Sequence, residues 1–207
     1  MADWNPELYA RFADERARPV HDLLARVPLA SPERIVDLGC GAGASTAPLL
    51  ARWPGAQVLG IDTSPAMIAE AQAKVPGARY EIADGATWAP EAPVDLVFSN
   101  ATLQWIPDHP TLLPRLMGWL KPGGVLAVQI PDNLDEPSHA SMRAVAAEAP
   151  FPDALKDAAG ARTKLLSYEA TWDVLAPTRA PSTCGGRPMS TRSWGPRRSS
   201  RWCVRPA

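Results

Sequence analysis

The stretch VDLGCGAGAST, residues 36 to 46, constrains this chain more than any other part of its sequence. An apolar run containing Asp37 opens into Gly39, Gly41 and Gly43, and a segment able to form a helix follows. Alternating glycines let the backbone take positive φ and come close to a ligand. The helix behind them begins with free N–H groups aimed at the same point. A strand, a glycine loop and a helix in that order predict a nucleotide-binding α/β fold.

The rest of the chain repeats the alternation. Asn5 and Pro6 predict a helix start, Leu8 and Phe12 share its inner face, and Pro19 is expected to interrupt it. Val20, Leu23, Leu24 and Val27 then line a second short helix. Strands are predicted at 34–38, 57–61, 79–83, 94–99 and 125–130. Helices are predicted at 44–53, from Ser64-Pro65 to about Lys74, at 111–120 and at 138–148, with Lys121-Pro-Gly-Gly124 as a closing turn. Such alternation implies right-handed crossovers and a parallel sheet with helices on both faces.

The glycine spacing alone leaves two ligands open. Gly39-x-Gly41-x-Gly43 fits the loop of S-adenosylmethionine enzymes, whereas Gly39-x-Gly41-x-x-Ala44 fits the dinucleotide fingerprint. Both expect an acidic residue about 20 positions on for the ribose hydroxyls, and Asp62 stands there. Asp37 separates them. A carboxylate entering the loop attracts an ammonium and a sulfonium but repels a pyrophosphate. Asp84, after the third strand, offers an acceptor for an adenine amino group. A P-loop is excluded because no Lys-Ser/Thr follows the glycines. The plainer alternative, a tight glycine turn that binds nothing, is disfavoured by the spacing of loop, Asp37 and Asp62 together. The cofactor expected is S-adenosyl-L-methionine.

The series VDLGCGAGAST, LGIDTSPAMIAEA, YEIADGATW, DLVFSNATLQWIPDH and LKPGGVLAVQIPDN resembles the class I S-adenosylmethionine-dependent methyltransferases. DWNPELYARFADERARP and IPDNLDEPSH are similar to the branch that methylates trans-aconitate, and the similarity runs to about Pro177. The resemblance implies a three-layer Rossmann-like α/β fold with a mostly parallel sheet in the order 3-2-1-4-5. It implies that Gly39, Gly41 and Gly43 approach the methionyl part, that Asp37 takes its ammonium, Asp62 the ribose and Asp84 the adenine. Asn100 would face the sulfonium. The implied reaction esterifies one carboxylate of a small polycarboxylate and needs no general base, because the carboxylate is already ionised; what it needs is positioning.

A tricarboxylate calls for bidentate cations, for which Arg11, Arg16, Arg18 and Arg143 are the candidates, each equally explained as a solvated helix face. Trp105 and His109 follow the fourth strand at the expected ligand mouth. Packing explains Trp105 as well, and a loop or capping role explains His109 better than catalysis. Tyr9 and Phe12 are candidates to close over the cofactor, and burial alone explains them equally well.

Residues 1–30 are expected to form a helical lid and 31–177 the methyltransferase domain. Residues 178–207 carry seven arginines and no acidic residue, so the body before them holds 14 basic against 22 acidic side chains. Dense Pro, Gly and Ser and no apolar period predict disorder there. The mixture looks like a coding sequence read out of frame in place of the family's last two strands, which would leave the fifth strand an unpaired edge.

A nucleic-acid role for this tail is not expected, since it lacks regularly spaced aromatic platforms. Three cysteines set no disulfide or metal spacing, and no run is long enough to span a membrane. A cytoplasmic monomer without metal is the expectation. Other acceptors, whether free or carrier-bound acids, and a cofactor-binding remnant with little activity are the alternatives.

Overall fold

The computed structural model describes residues 13–134, 136–148, 165–176, 189–190 and 200–206. The first helix, α1, spans Ala13–Leu24 and runs through Pro19 without a break. This differs from the expected interruption. A proline removes one backbone donor, but Val20, Leu23 and Leu24 are buried on the sheet and hold the helix on course.

Then follow β1 (Arg34–Leu38), α2 (Thr46–Arg52), β2 (Gln57–Asp62), α3 (Pro65–Lys74), β3 (Arg79–Ile82) and β4 (Val94–Asn100). In α3, Ser64 accepts a hydrogen bond from the Met67 N–H and Pro65 starts the helix, as the Ser-Pro pair predicts. A 3-10 turn, Leu103–Trp105, leads to α4 (His109–Met117), β5 (Leu120–Pro131), α5 (Pro137–Ala147) and α6 (Tyr168–Leu175). Two further strands, β6 (Met189–Ser190) and β7 (Ser200–Pro206), come from the arginine-rich segment.

The sheet order is β3-β2-β1-β4-β5-β7-β6. The first five strands pair in parallel, and β7 pairs antiparallel to both β5 and β6. The predicted order 3-2-1-4-5 stands. The expected bare edge at β5 does not, because β7 covers it from Val125 to Pro131. Overall charge and Pro/Gly content hid a seven-residue stretch, SRWCVRP, whose Trp, Cys and Val suit a strand. Val204 packs against the core cluster that contains Val125 and Ala127.

The expected turn at Lys121-Pro-Gly-Gly124 lies instead within β5, where the register to β4 shifts between Val94 and Leu96 and Gly123 takes φ +80°. One core lies under α4 and α6, with Val36, Leu38, Val97, Leu116, Leu126 and Leu175. The other lies under α1 and α2, with Leu23, Ile35, Leu49, Leu96, Phe98 and Ala127. Strand order reverses between β1 and β4, and in such sheets ligands bind outside the carboxyl ends of the strands at that point.

Candidate functional site

At the reversal the glycine loop is built as its sequence requires. Gly39, Gly41 and Gly43 take φ of +73°, +53° and +89°. A β-carbon at Gly39 would lie 2.1 Å from Thr102 Oγ1, and one at Gly43 would lie 2.9 Å from a Val75 methyl. Gly41 is different: a β-carbon there meets nothing within 4 Å, so its glycine keeps open space in front of the loop. The N–H groups of Gly39 and Cys40 donate to Ile61 O at 2.8 and 3.0 Å, tying the loop down onto β2. Burial and the nearby Asp37 and Asp62 push the Cys40 thiol up to about 12, which makes it an unreactive packing group.

Asp37 is fully buried behind this loop. Its Oδ1 accepts from Ser45 Oγ at 2.9 Å, and its Oδ2 accepts from Ser45 Oγ at 2.8 Å and Thr46 Oγ1 at 2.7 Å. Burial raises its pKa to about 6, against the lowering effect of those two hydroxyls. The carboxylate therefore anchors the start of α2 to β1 and faces inward.

Asp62 stands at the end of β2, partly exposed. Its Oδ2 accepts from Gly41 N–H at 3.0 Å and its Oδ1 from Ser64 N–H at 2.9 Å. Each oxygen keeps a lone pair for a further donor. Asp84 is exposed just past β3, its Oδ1 accepting from Ala86 N–H at 2.8 Å. The three carboxyl groups thus stand at or just past the carboxyl ends of β1, β2 and β3.

Across the loop, Thr102 Oγ1 donates at 3.3 Å to Gly39 O or at 3.2 Å to Asn100 O, stapling the loop to the end of β4. Ala101 takes φ +54° there, and its N–H donates to Gln129 O at 2.9 Å. Three buried side-chain oxygens at this corner, Asn100 Oδ1, Gln104 Oε1 and Gln129 Oε1, have no hydrogen-bond partner. Of these residues the sequence pointed only to Asn100. Ser45, Thr46, Thr102, Gln104 and Gln129 are placed by tertiary structure. Only Ser45 and Thr46, directly behind the glycines, carried a readable signal.

The outer candidates divide. Trp105 is 58% exposed at the mouth. His109 is buried at the start of α4, with Nε2 2.8 Å from Leu103 O, which is the structural reading rather than the catalytic one. Arg143 donates to Leu134 O and so fixes the approach to α5. Arg18 lies 3.7 Å from Asp22 on an exposed face of α1. Arg16 is on α1, but its side chain, like Arg11, Tyr9 and Phe12 altogether, lies outside the described residues. A cavity of about 370 Å³ lies elsewhere, over the amino ends of β1, β2 and β3 and under the 83–93 crossover, and it is remote from the glycine loop.

Residues 35–124 match the family model of the methyltransferase domain. The chain is 58% identical over 182 residues to trans-aconitate 2-methyltransferase of Methylobacterium radiotolerans, covering 87% of this chain and 70% of that protein. The chain belongs to the trans-aconitate 2-methyltransferase family. The enzyme of that name from Paracidovorax citrulli is 57% identical, with 86% and 69% covered. A solved structure of a putative S-adenosylmethionine-dependent methyltransferase from Listeria monocytogenes superposes at TM-score 0.52, with 27% identity over 59% of this chain and 58% of that one. Members of this family are methyltransferases, and the expected fold and cofactor class follow from the same relationship.

Proposed function

We propose that the chain transfers the methyl group of S-adenosylmethionine to one carboxylate of trans-aconitate, giving the monomethyl ester and S-adenosylhomocysteine. The observation that carries this reading is the pairing of open space before Gly41 with Asp62, whose carboxylate is fixed beside that space by the Gly41 and Ser64 N–H groups. A fixed carboxylate with spare lone pairs suits the two ribose hydroxyls. The residues present fit the cofactor on a second count, since unpartnered acceptor oxygens converge at the β4–β5 end.

When bound, the cofactor supplies an electrophilic methyl on a sulfonium that leaves as a neutral thioether. The chain's own residues position and shield. Thr102 and Ile61 O set the loop's height above the sheet. Asp37 and Asp62 place negative charge behind and beside the loop, which favours a cationic ligand over a pyrophosphate. Asp84 keeps an exposed oxygen for an adenine amino group.

For the acceptor, the support is the family relationship, together with Trp105 exposed at the mouth. Arg11 and Arg16 are the arginines proposed to grip a carboxylate. Arg18, beside Asp22, and Arg143, bonded to Leu134 O, are the weaker candidates. No helix among the described residues is long and apolar enough to cross a membrane. We place the enzyme in the cytoplasm as a monomer. Calorimetric titration with S-adenosylhomocysteine and with NAD tests the reading: binding of the former and none of the latter is expected. Ester formation from trans-aconitate in preference to monocarboxylic acids tests the acceptor.

A further inference from the structure

We propose that the cavity over the amino ends of β1, β2 and β3 is a second binding site, which takes a small zwitterion with an apolar body, of the class of an aromatic or branched α-amino acid. Its volume of about 370 Å³ falls in the range of ligand pockets. The space exists because the connection from β3 to β4 crosses two strands without a helix. A crossover between parallel strands ordinarily lays a helix on the sheet, and here only the loop at 83–93 spans that ground.

Strand register sets the floor. Arg34 pairs with Gln57, Val36 with Leu59, and Leu59 with Arg79. The period of two puts these residues and Glu81 on one face of the sheet. Val36 and Leu59 form an apolar centre, continuous with the core that also holds Val94 and Trp88. The roof is fixed by contacts within the chain. Trp88 packs edge-on against Trp119 with ring centroids 5.4 Å apart, and its Nε1 donates to Glu81 Oε1 at 2.8 Å. Arg115 donates to Trp88 O at 3.3 Å and to Gly85 O. A wall ordered in advance lowers the entropy lost on binding.

Charge selects the occupant. Two arginines, Arg34 and Arg79, and two glutamates, Glu81 and Glu91, line the cavity. Among the described residues neither guanidinium nor the Glu91 carboxylate has a hydrogen bond or ion pair, and Glu81 is held by Trp88. A simple anion would face both glutamates, a simple cation would face both arginines, and a neutral molecule would bring a partner to none of the four. A zwitterion answers both signs. Arg79 and Glu81 stand two residues apart on β3, about 7 Å along the strand, so a donor head and an acceptor head flank one point. That arrangement suits an ammonium and a carboxylate on neighbouring atoms. Arg79, Glu81 and Glu91 are exposed, so the charged heads stand at the rim and the apolar body goes beneath, against Trp88, Val36 and Leu59.

The test titrates the full chain by calorimetry with L-phenylalanine, with 3-phenylpropionate, which lacks the ammonium, and with phenethylamine, which lacks the carboxylate. Phenylalanine should bind, and each truncated probe should bind roughly fivefold or more weakly, as for a charged hydrogen bond at a solvent-screened rim. Arg79→Gln should weaken phenylalanine by a similar factor without weakening phenethylamine. Glu81→Gln keeps an acceptor for Trp88 Nε1, and it should weaken phenylalanine without weakening 3-phenylpropionate. Ala89→Trp, on the exposed roof, should block all three probes. The dissociation constant for S-adenosylhomocysteine should stay within about twofold in every variant, because the glycine loop is distant. Absence of phenylalanine binding, equal affinity for the three probes, or tighter binding of either truncated probe would overturn the proposal. So would displacement of phenylalanine by S-adenosylhomocysteine, which would assign it to the glycine loop.

Discussion

The two ends of the ligand edge are held in opposite ways. On the β1–β2 side, nearly every polar group of the loop has a partner within the chain: Asp37 with Ser45 and Thr46, Asp62 with Gly41 and Ser64, and the Gly39 and Cys40 N–H groups with Ile61 O. Just beyond β5, helix α5 is loosely held. No residue of α5 is buried, and Met142 and Val145 are 59% and 55% exposed. Between the two ends lies the corner of unpartnered amide oxygens. A nucleotide loop can be completed by local sequence, since its partners lie within about ten residues or on the neighbouring strand.

The largest effect that would break this contrast is expected at Gly39. Gly39→Ala sets a methyl 2.1 Å from Thr102 Oγ1 at φ +73°. Overpacking and left-handed strain together should cost about 2–5 kcal/mol by denaturant unfolding. Thr102→Ser in the same chain should not recover it, because the clashing hydroxyl remains, whereas Thr102→Gly should recover part. A Gly39→Ala protein as stable as wild type would mean that the loop is not the rigid half.

Asp62→Ala comes next. It removes the acceptor for Gly41 and Ser64 N–H as well as the proposed ribose contact. S-adenosylhomocysteine should bind roughly tenfold to a few hundredfold more weakly, at about 1.5–3 kcal/mol per charged-acceptor bond. An unchanged dissociation constant in a folded variant would place the ribose elsewhere.

The Asp37 carboxyl sharpens the contrast through pH. Its pKa is raised by burial from 3.8 to about 6, so the native state holds a proton that the unfolded chain releases between those values. Its contribution to stability therefore improves as pH falls from about 6 toward 4, by up to about 3 kcal/mol without ligand. Cofactor affinity should move the other way, rising as pH climbs through about 6 and the carboxylate becomes charged. Asp37→Asn should flatten both profiles, and a Ser45→Ala change should shift the midpoint upward by removing a hydrogen bond to the charged form. Identical profiles for wild type and Asp37→Asn would assign the titration to another group.

The smallest effect is expected on α5. Met142→Ser and Val145→Ser should change unfolding stability by less than about 0.5 kcal/mol, as for exposed positions generally. A loss well beyond that would show that α5 is packed in solution and that the two ends are more alike than their described contacts.

Much of this was legible in the chain itself. Apolar runs of four to seven residues, Ser64-Pro65 and the three glycines located the strands, a helix start and the loop, because each is a local signal carried by neighbouring residues. The positions of Asp62 and Asp84, at and just past the ends of β2 and β3, were legible because a nucleotide fold fixes where strands end. The structure decided what depends on distant partners. Asp37 turned inward because two hydroxyls eight and nine residues later reach both its oxygens. His109 is held inward because the 3-10 turn brings Leu103 O within 2.8 Å of its Nε2. SRWCVRP became a strand because β5 offered an open row of backbone groups, a partner that the composition of the segment cannot reveal. Gln129 came to lie beside Asn100 only through the parallel pairing of β4 and β5. Sequence determines the conformations that a stretch of chain favours, and tertiary contact determines which buried polar groups are satisfied and which are left without a partner.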